Sequence, residues 1–155
     1  MMRVAIFAAV CIGMLAPVDA FAQAKKQGKS LYDRLGGVYA IAAVVDDFID
    51  RVVANDILNA NPAIKEARDR VPAAGLKYRV TEMVCMATGG PCKYTGRSMK
   101  ESHKHLNITE KEWDALVVNF KESLAKFNVP EKEQNELLTI VGSTKGDIVT
   151  VKTMQ

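Results

Sequence analysis

The amino-acid sequence predicts an all-α domain, and three observations carry that prediction. Apolar residues recur at three- and four-residue spacing in long stretches after Gly37, after Pro72 and after Thr109, the period of an amphipathic helix rather than of a strand. Clusters of glycine, proline and asparagine punctuate them at Gly36-Gly37, Asn59-Ala60-Asn61-Pro62, Gly89-Gly90-Pro91 and Asn128-Val129-Pro130. No strand pattern precedes Ile148-Val149. With 155 residues, 48% hydrophobic and 25% charged, the chain has the proportions of one globular domain, not of a disordered or repeat protein. Its formal net charge of +3 comes from basic and acidic residues scattered in sign, so no footprint for nucleic acid or anionic lipid stands out.

The first 24 residues read as a secretory signal peptide: Arg3, an almost purely apolar run from Val4 to Leu15, then Pro17 and small residues. Ala22-Gln23-Ala24 offers a small-x-small cleavage site, and the polar stretch from Lys25 follows. The apolar run is shorter than the roughly 20 residues that cross a bilayer as a helix. The expectation is therefore cleavage near Ala24, a periplasmic or secreted mature domain over residues 25–155, and no stable membrane anchor. Cleavage removes Cys11 and leaves Cys85 and Cys92. In an oxidising compartment these form a disulfide if the chain doubles back over Gly89-Gly90-Pro91, and otherwise they are small buried hydrophobes.

The elements follow in order. Ser30-Leu31-Tyr32-Asp33 has the form of a capping box opening a short helix that Gly36-Gly37 ends. A long helix then presents Val38, Ile41, Ala42, Val45, Phe48, Ile49 and Val52 on one side, with Asp46, Asp47, Asp50 and Arg51 largely on the other. It runs to about Ala54. Asn59 to Pro62 is turn chemistry, and Val71-Pro72 interrupts the charged piece Lys65–Arg70. A second amphipathic helix, Ala73 to Thr88, carries Leu76, Val80, Met83, Val84 and Ala87 on one face, with Lys77, Arg79 and Glu82 elsewhere. Ser98-Met99-Lys100-Glu101 and Thr109-Glu110-Lys111-Glu112 open two more helices, the latter with Trp113, Leu116, Val117, Phe120 and Leu124 at core spacing. A last helix from about Glu131 presents Leu137, Leu138 and Val141.

Candidate chemistry is decided by subtraction. His103 and His105 are the only histidines, so a three-histidine zinc site cannot form. No Gly-x-Ser-x-Gly elbow supports a nucleophile, and the double glycines lack the spacing and lysine of a phosphate loop. His103 differs from His105 in its setting: Met99 lies one turn before it and Leu106 three residues after, whereas His105 sits beside Lys104. A neutral imidazole on an apolar helical face is suited to be the single axial ligand of a haem iron. The chain has no Cys-x-x-Cys-His, so c-type attachment is excluded as a typical reading.

Leu31-Tyr32-Asp33-Arg34-Leu35-Gly36-Gly37, Thr88-Gly89-Gly90-Pro91, the block Tyr94-Thr95-Gly96-Arg97-Ser98-Met99-Lys100-Glu101-Ser102-His103, and Leu106-Asn107-Ile108-Thr109 together resemble a group 1 truncated haemoglobin over nearly the whole mature chain. The resemblance implies a shortened globin fold, a two-over-two helical sandwich around one haem b. It makes His103 the proximal iron ligand and places Tyr94 and Arg97 near the haem edge and its propionates, where a guanidinium forks onto carboxylates. Read by itself, Arg97 is equally a solvent-facing arginine. Met99, Ile108, Trp113, Val117 and Val141 match wall positions on the proximal side and far edge.

On the opposite, distal side the sequence departs from the family pattern. Family members commonly place a tyrosine after the phenylalanine of the first long helix and a glutamine on the distal helix. Here Phe48 is followed by Ile49, and Val80 stands between Leu76 and Val84. None of these aliphatic side chains donates a hydrogen bond. The segment before Gly89 is about six residues longer than the family pattern, and a shift there would turn Tyr78 inward instead of leaving it at the surface or haem edge. The resulting expectation is a gas-binding haem protein and not an enzyme, its ligand being oxygen, carbon monoxide or nitric oxide, served by an unknown reductase. Nitric oxide dioxygenation or a peroxidase reaction is open to it as a side activity, and nitric oxide detoxification stands beside the redox reading as an alternative. Two alternatives stand: a haem redox or peroxidase-like protein with Met83 or Met86 as sixth ligand, and a haem-free helical interaction module.

Overall fold

The computed structural model describes residues 28–151, so the expected signal segment lies outside the described residues. Within them the chain is helical, as the periodicity predicts. A short helix, α1 (Leu31–Arg34), is opened by the predicted Ser30–Asp33 capping box. Gly36 then takes a φ of +91°, a left-handed turn that favours glycine, and the long α2 (Gly37–Ala54) starts at once.

The segment read as turn and charged piece is itself helical, as α3 (Asp56–Asn59) and α4 (Pro62–Arg70). Asn55 and Asn61 cap them by accepting the N–H groups of the following turn. Helix α4 lies in the segment before Gly89 that reads as longer than the family pattern, and none of its residues is buried. Helix α5 (Ala73–Ala87) follows, then a loop to α6 (Met99–His103), α7 (Glu110–Lys126), α8 (Glu131–Ser143) and α9 (Lys145–Ile148). Strand formation departs from the prediction: Ile108–Thr109 (β1) pairs in parallel with Val149–Val151 (β2), Ile108 opposite Val149. A two-residue strand is too short to leave an alternating pattern in sequence.

Two apolar clusters make the core. In one, Ile41, Val45 and Ile49 of α2 are buried against Leu76, Val80 and Val84 of α5. In the other, Leu31, Phe120, Leu124 and Leu137 join α1, α7 and α8. Phe48 packs against both, its ring edge-on to Phe120 with centroids 5.2 Å apart. The pairs α2/α5 and α7/α8 form a two-over-two helical sandwich, the arrangement that the resemblance implies.

Charged residues clamp this sandwich along α2. Lys77 of α5 reaches both Asp46 and Asp50 at 2.7 Å. Asp47, assigned to the polar side by its position, is nearly buried instead. Its carboxylate accepts hydrogen bonds from Lys126 (2.5 Å), Arg51 (2.7 Å) and Ser123 (2.8 Å), and Arg51 also pairs with Glu122 at 2.6 Å. The bonds from Lys126 and Arg51 hold the Asp47 pKa far below the ordinary carboxylate range. A depressed folded-state pKa adds stability that is present above the unfolded pKa and lost as pH falls through the folded value. Asp47→Asn is expected to lower the unfolding free energy at pH 7 by about 2 kcal/mol. In urea titrations across pH, the gap to the unsubstituted chain should hold down to about pH 4 and shrink below it.

Candidate functional site

The site is best built outward from His103, the last residue of α6. Ser98 caps this five-residue helix by accepting the Glu101 N–H at 3.2 Å. One turn inside it, His103 Nδ1 lies 2.7 Å from the Met99 carbonyl oxygen. A carbonyl only accepts, so Nδ1 carries the proton, and in the neutral ring the lone pair sits on Nε2. A metal-ligating histidine is typically held in this way. His103 is half-buried between half-buried Met99 and Leu106, whereas His105 is exposed, as their neighbours in sequence predict.

Residues far away in sequence hold that short helix. Asn61, read as part of a turn, donates from Nδ2 to the Leu106 carbonyl at 2.9 Å and to Glu112 Oε1 at 2.8 Å. Glu112 in turn closes the predicted capping box with Thr109. Asn61 is a positioning residue that sequence reasoning missed. Its Asn-Pro start is visible as a helix cap, but its partners 45 and 51 residues on are not. Helix α9 also packs against α6.

The other predicted wall residues separate into two groups. On the distal side Phe48, Ile49, Leu76, Val80 and Val84 are brought together by the α2/α5 cluster, Ile49 buried and the rest half-buried. Val141 packs against the second cluster. Towards the proximal side Ile108 and Trp113 are buried, and Met99 and Val117 are half-buried. Lys145 Nζ stands 6.0 Å from the Trp113 ring centroid and pairs with Glu110 at 2.5 Å. Tyr94 is half-buried and spends its hydroxyl on the Arg97 carbonyl at 2.8 Å. A Cβ on Gly96 would lie 2.2 Å from that hydroxyl, so any larger residue there would push the Tyr94 ring out of its place. Arg97 is exposed.

Helix α5 buries residues that its apolar stripe does not name. Cys85 and Glu82 are buried, while Ala87 is exposed. Burial works against the Glu82 charge, but hydrogen bonds from Tyr78, Thr95 and Arg79 outweigh it and keep the carboxyl below its ordinary pKa. Tyr78 is 60% exposed on that outer side, which settles its placement away from the α2/α5 interface. An apolar cavity of about 150 Å³, lined by Leu35, Val44, Val84, Phe120 and Leu124 among others, carries no metal-ligating side chain. Among the described residues no three such side chains gather elsewhere.

Cys85 and Cys92 form a disulfide, with Cα atoms 5.7 Å apart. The chain doubles back as required, Gly89 at a φ of +86° and the Gly90 N–H donating to the Cys85 carbonyl at 2.8 Å. The bridge ties the end of α5, one residue beyond Val84, to the loop that carries Tyr94.

A family profile described as bacterial-like globin matches residues 30–150. The chain is 26% identical over 121 residues to a group 1 truncated haemoglobin of Tetrahymena pyriformis, covering 78% of this chain and 95% of that one. It is 30% identical over 118 residues to one of Synechocystis sp., covering 74% and 90% respectively. The crystal structure of the T. pyriformis protein in its Fe(III) form superposes with a TM-score of 0.69, covering 79% of this chain and all of that one.

Removing the bridge frees a short loop in the unfolded chain. Cys92→Ser should cost about 2 kcal/mol of stability, read as a lower urea midpoint. The unsubstituted chain should fall to the same midpoint when a reductant is added.

Proposed function

The chain belongs to the bacterial-like globin family, with group 1 truncated haemoglobins among its relatives, and from that premise we propose that it binds haem b through His103 and carries a diatomic gas in an aliphatic distal pocket. The observation that carries this reading is the 2.7 Å contact between His103 Nδ1 and the Met99 carbonyl, which leaves Nε2 as the ligating atom.

The surrounding residues fit such a group. A flat, largely apolar cofactor needs aliphatic walls that the protein alone does not fully cover. Phe48, Leu76, Val80, Val84, Met99, Val117 and Val141 are half-buried apolar side chains of that kind. Arg97, exposed and without an ion pair among the described residues, is available to a propionate. Bound haem supplies the iron that takes up the gas. The chain supplies one basic nitrogen, an apolar lining and the exclusion of water.

The two histidines leave no distal imidazole, since His105 is exposed. Met86, one of the two methionines considered as a sixth ligand, is 47% exposed. The lack of a distal imidazole and the exposure of Met86 favour a five-coordinate ferrous site that reversibly binds gas, and half-buried Met83 is the one remaining candidate of the two for a six-coordinate redox site. Ile49, Leu76 and Val80 cannot donate a hydrogen bond to the gas, so oxygen is held less firmly than in relatives with a distal tyrosine, and nitric oxide dioxygenation is disfavoured. The disulfide supports an exported, oxidising location, in keeping with the signal-like first 24 residues.

Two measurements test the reading. Purified with haem supplied, the chain should give globin absorption bands and a five-coordinate ferrous spectrum, and His103→Ala should lose them. No haem band in the unsubstituted chain would remove the proposal. Ile49→Tyr adds a donor worth on the order of 1 kcal/mol. It should slow oxygen dissociation about fivefold while changing carbon monoxide dissociation less. An already slow oxygen release in the unsubstituted chain would overturn the aliphatic-pocket reading.

A further inference from the structure

The charges that look scattered in sequence are not scattered in effect. Residues 93–105 hold Lys93, Arg97, Lys100 and Lys104 against Glu101 alone, a net of three positive charges. That is the whole excess of the chain, whose formal net charge is +3, so cations and acids elsewhere balance. Much of that balance is visible as ion pairs, as at Asp47 and Lys77. In residues 93–105 all four cations are exposed, and the one ion pair there among the described residues is Lys104 to Glu101 at 3.9 Å. Helix α9, packed against α6, adds Lys145, already paired with Glu110 at 2.5 Å, and Asp147. With Arg97 left to a propionate, Lys93, Lys100 and Lys104 still outnumber Glu101, so a positive excess remains.

This strip surrounds the helix that ends in His103. Lys100 and Lys104 sit three residues before and one after the histidine, one helical turn apart on the same side. We propose that the basic strip 93–105 docks an acidic one-electron carrier protein, which returns the oxidised ferric site to the ferrous, gas-binding state. The inference rests on the haem reading above. The carrier gives up one electron and the iron gains it, with no bond or proton transferred. Exposed lysines that outnumber their acidic neighbours beside a redox group attract and orient an acidic partner over a Debye length, about 8 Å at physiological salt.

The surface is better matched to a protein than to other anions. None of the large exposed hydrophobic residues lies within 93–105, so it has no apolar anchor for a lipid surface. It also offers no exposed aromatic on which bases could stack.

The test uses the haem-loaded full chain, with a reduced acidic [2Fe–2S] ferredoxin as the probe and neutral flavin semiquinone as a reductant without charge. Calorimetric binding of the ferredoxin should weaken about tenfold between roughly 0.01 M and roughly 0.15 M salt. Lys100→Glu/Lys104→Glu should weaken low-salt binding and slow ferric reduction by the ferredoxin about tenfold, with reduction by the flavin unchanged. The milder Lys100→Gln/Lys104→Gln, which is less disruptive to the short helix, should give an intermediate loss. Lys121→Glu, an equal charge change at a remote exposed position of α7, should have little effect. Salt-independent binding, an equal effect of Lys121→Glu, or stronger capture by phosphatidylserine vesicles than by ferredoxin would overturn the proposal. A chain that carries no haem fails the reading beneath it instead, and calorimetry still reports whether the strip binds.

Discussion

A single hydrogen bond within one helical turn, His103 Nδ1 to the Met99 carbonyl at 2.7 Å, sets the condition that the rest of the proposed proximal side serves. It is useful only if the ring stays where Nε2 can meet a metal, yet α6 has five residues and cannot hold itself in place. Its position comes from outside. Ser98 caps its start, Asn61 takes the Leu106 carbonyl just past its end, and α9 packs on it. The β1–β2 pairing joins the segment after α6 to the segment after α9. Parts of the chain as distant as α4 and the last described strand are therefore needed to orient one imidazole.

The sandwich around it is held by a different means. With 6% aromatic residues, the core has few large side chains to interlock, and one aromatic pair, Phe48 with Phe120, joins its two clusters. Charge clamps take over at the edges of α2: Lys77 closes it on α5, and the Asp47 group closes it on α7. Rim clamps allow the inner walls to stay lined by Leu, Val and Met side chains that are only half covered. Such walls suit a flat apolar cofactor, because a ligand that binds the folded chain alone adds its own binding free energy to stability.

Much of this was legible in the sequence, and the boundary has a physical cause. Helical period and capping boxes are local, so α2, α5, α7 and α8 and the caps at Ser30, Ser98 and Thr109 are found where the pattern puts them. The half-burial of His103 follows from its Met99 and Leu106 neighbours, as the exposure of His105 follows from Lys104, and its role as ligand is the proposal made above. What the pattern hid are polar groups whose partners lie far along the chain. Asp47 and Glu82 occupy positions that read as solvated, yet Asp47 is nearly buried and Glu82 buried, because Lys126 with Ser123, and Thr95, come to meet them. Asn61 reads as a turn residue and acts as a tie. The Cys85–Cys92 bridge stayed open in the sequence because it depends on the path of the chain over Gly89 and Gly90, which spacing alone does not fix.

The two faces of the proposed pocket also divide the work differently. On the distal side Ile49, Leu76 and Val80 offer no donor, so nothing there discriminates gases by polarity. Polar chemistry gathers at the other end, in the loop and helix from Lys93 to His105. There Tyr94 spends its hydroxyl on the Arg97 carbonyl, which fixes the turn and leaves the Arg97 guanidinium facing outward. Firm capture of oxygen from the distal side would reduce how often the iron is left oxidised. A pocket without that donor loses oxygen and autoxidises more readily, so it depends on resupply of electrons. A cationic surface set around His103, the proposed ligand, is what such a dependence calls for, and the aliphatic pocket and the basic strip are then two consequences of one constraint.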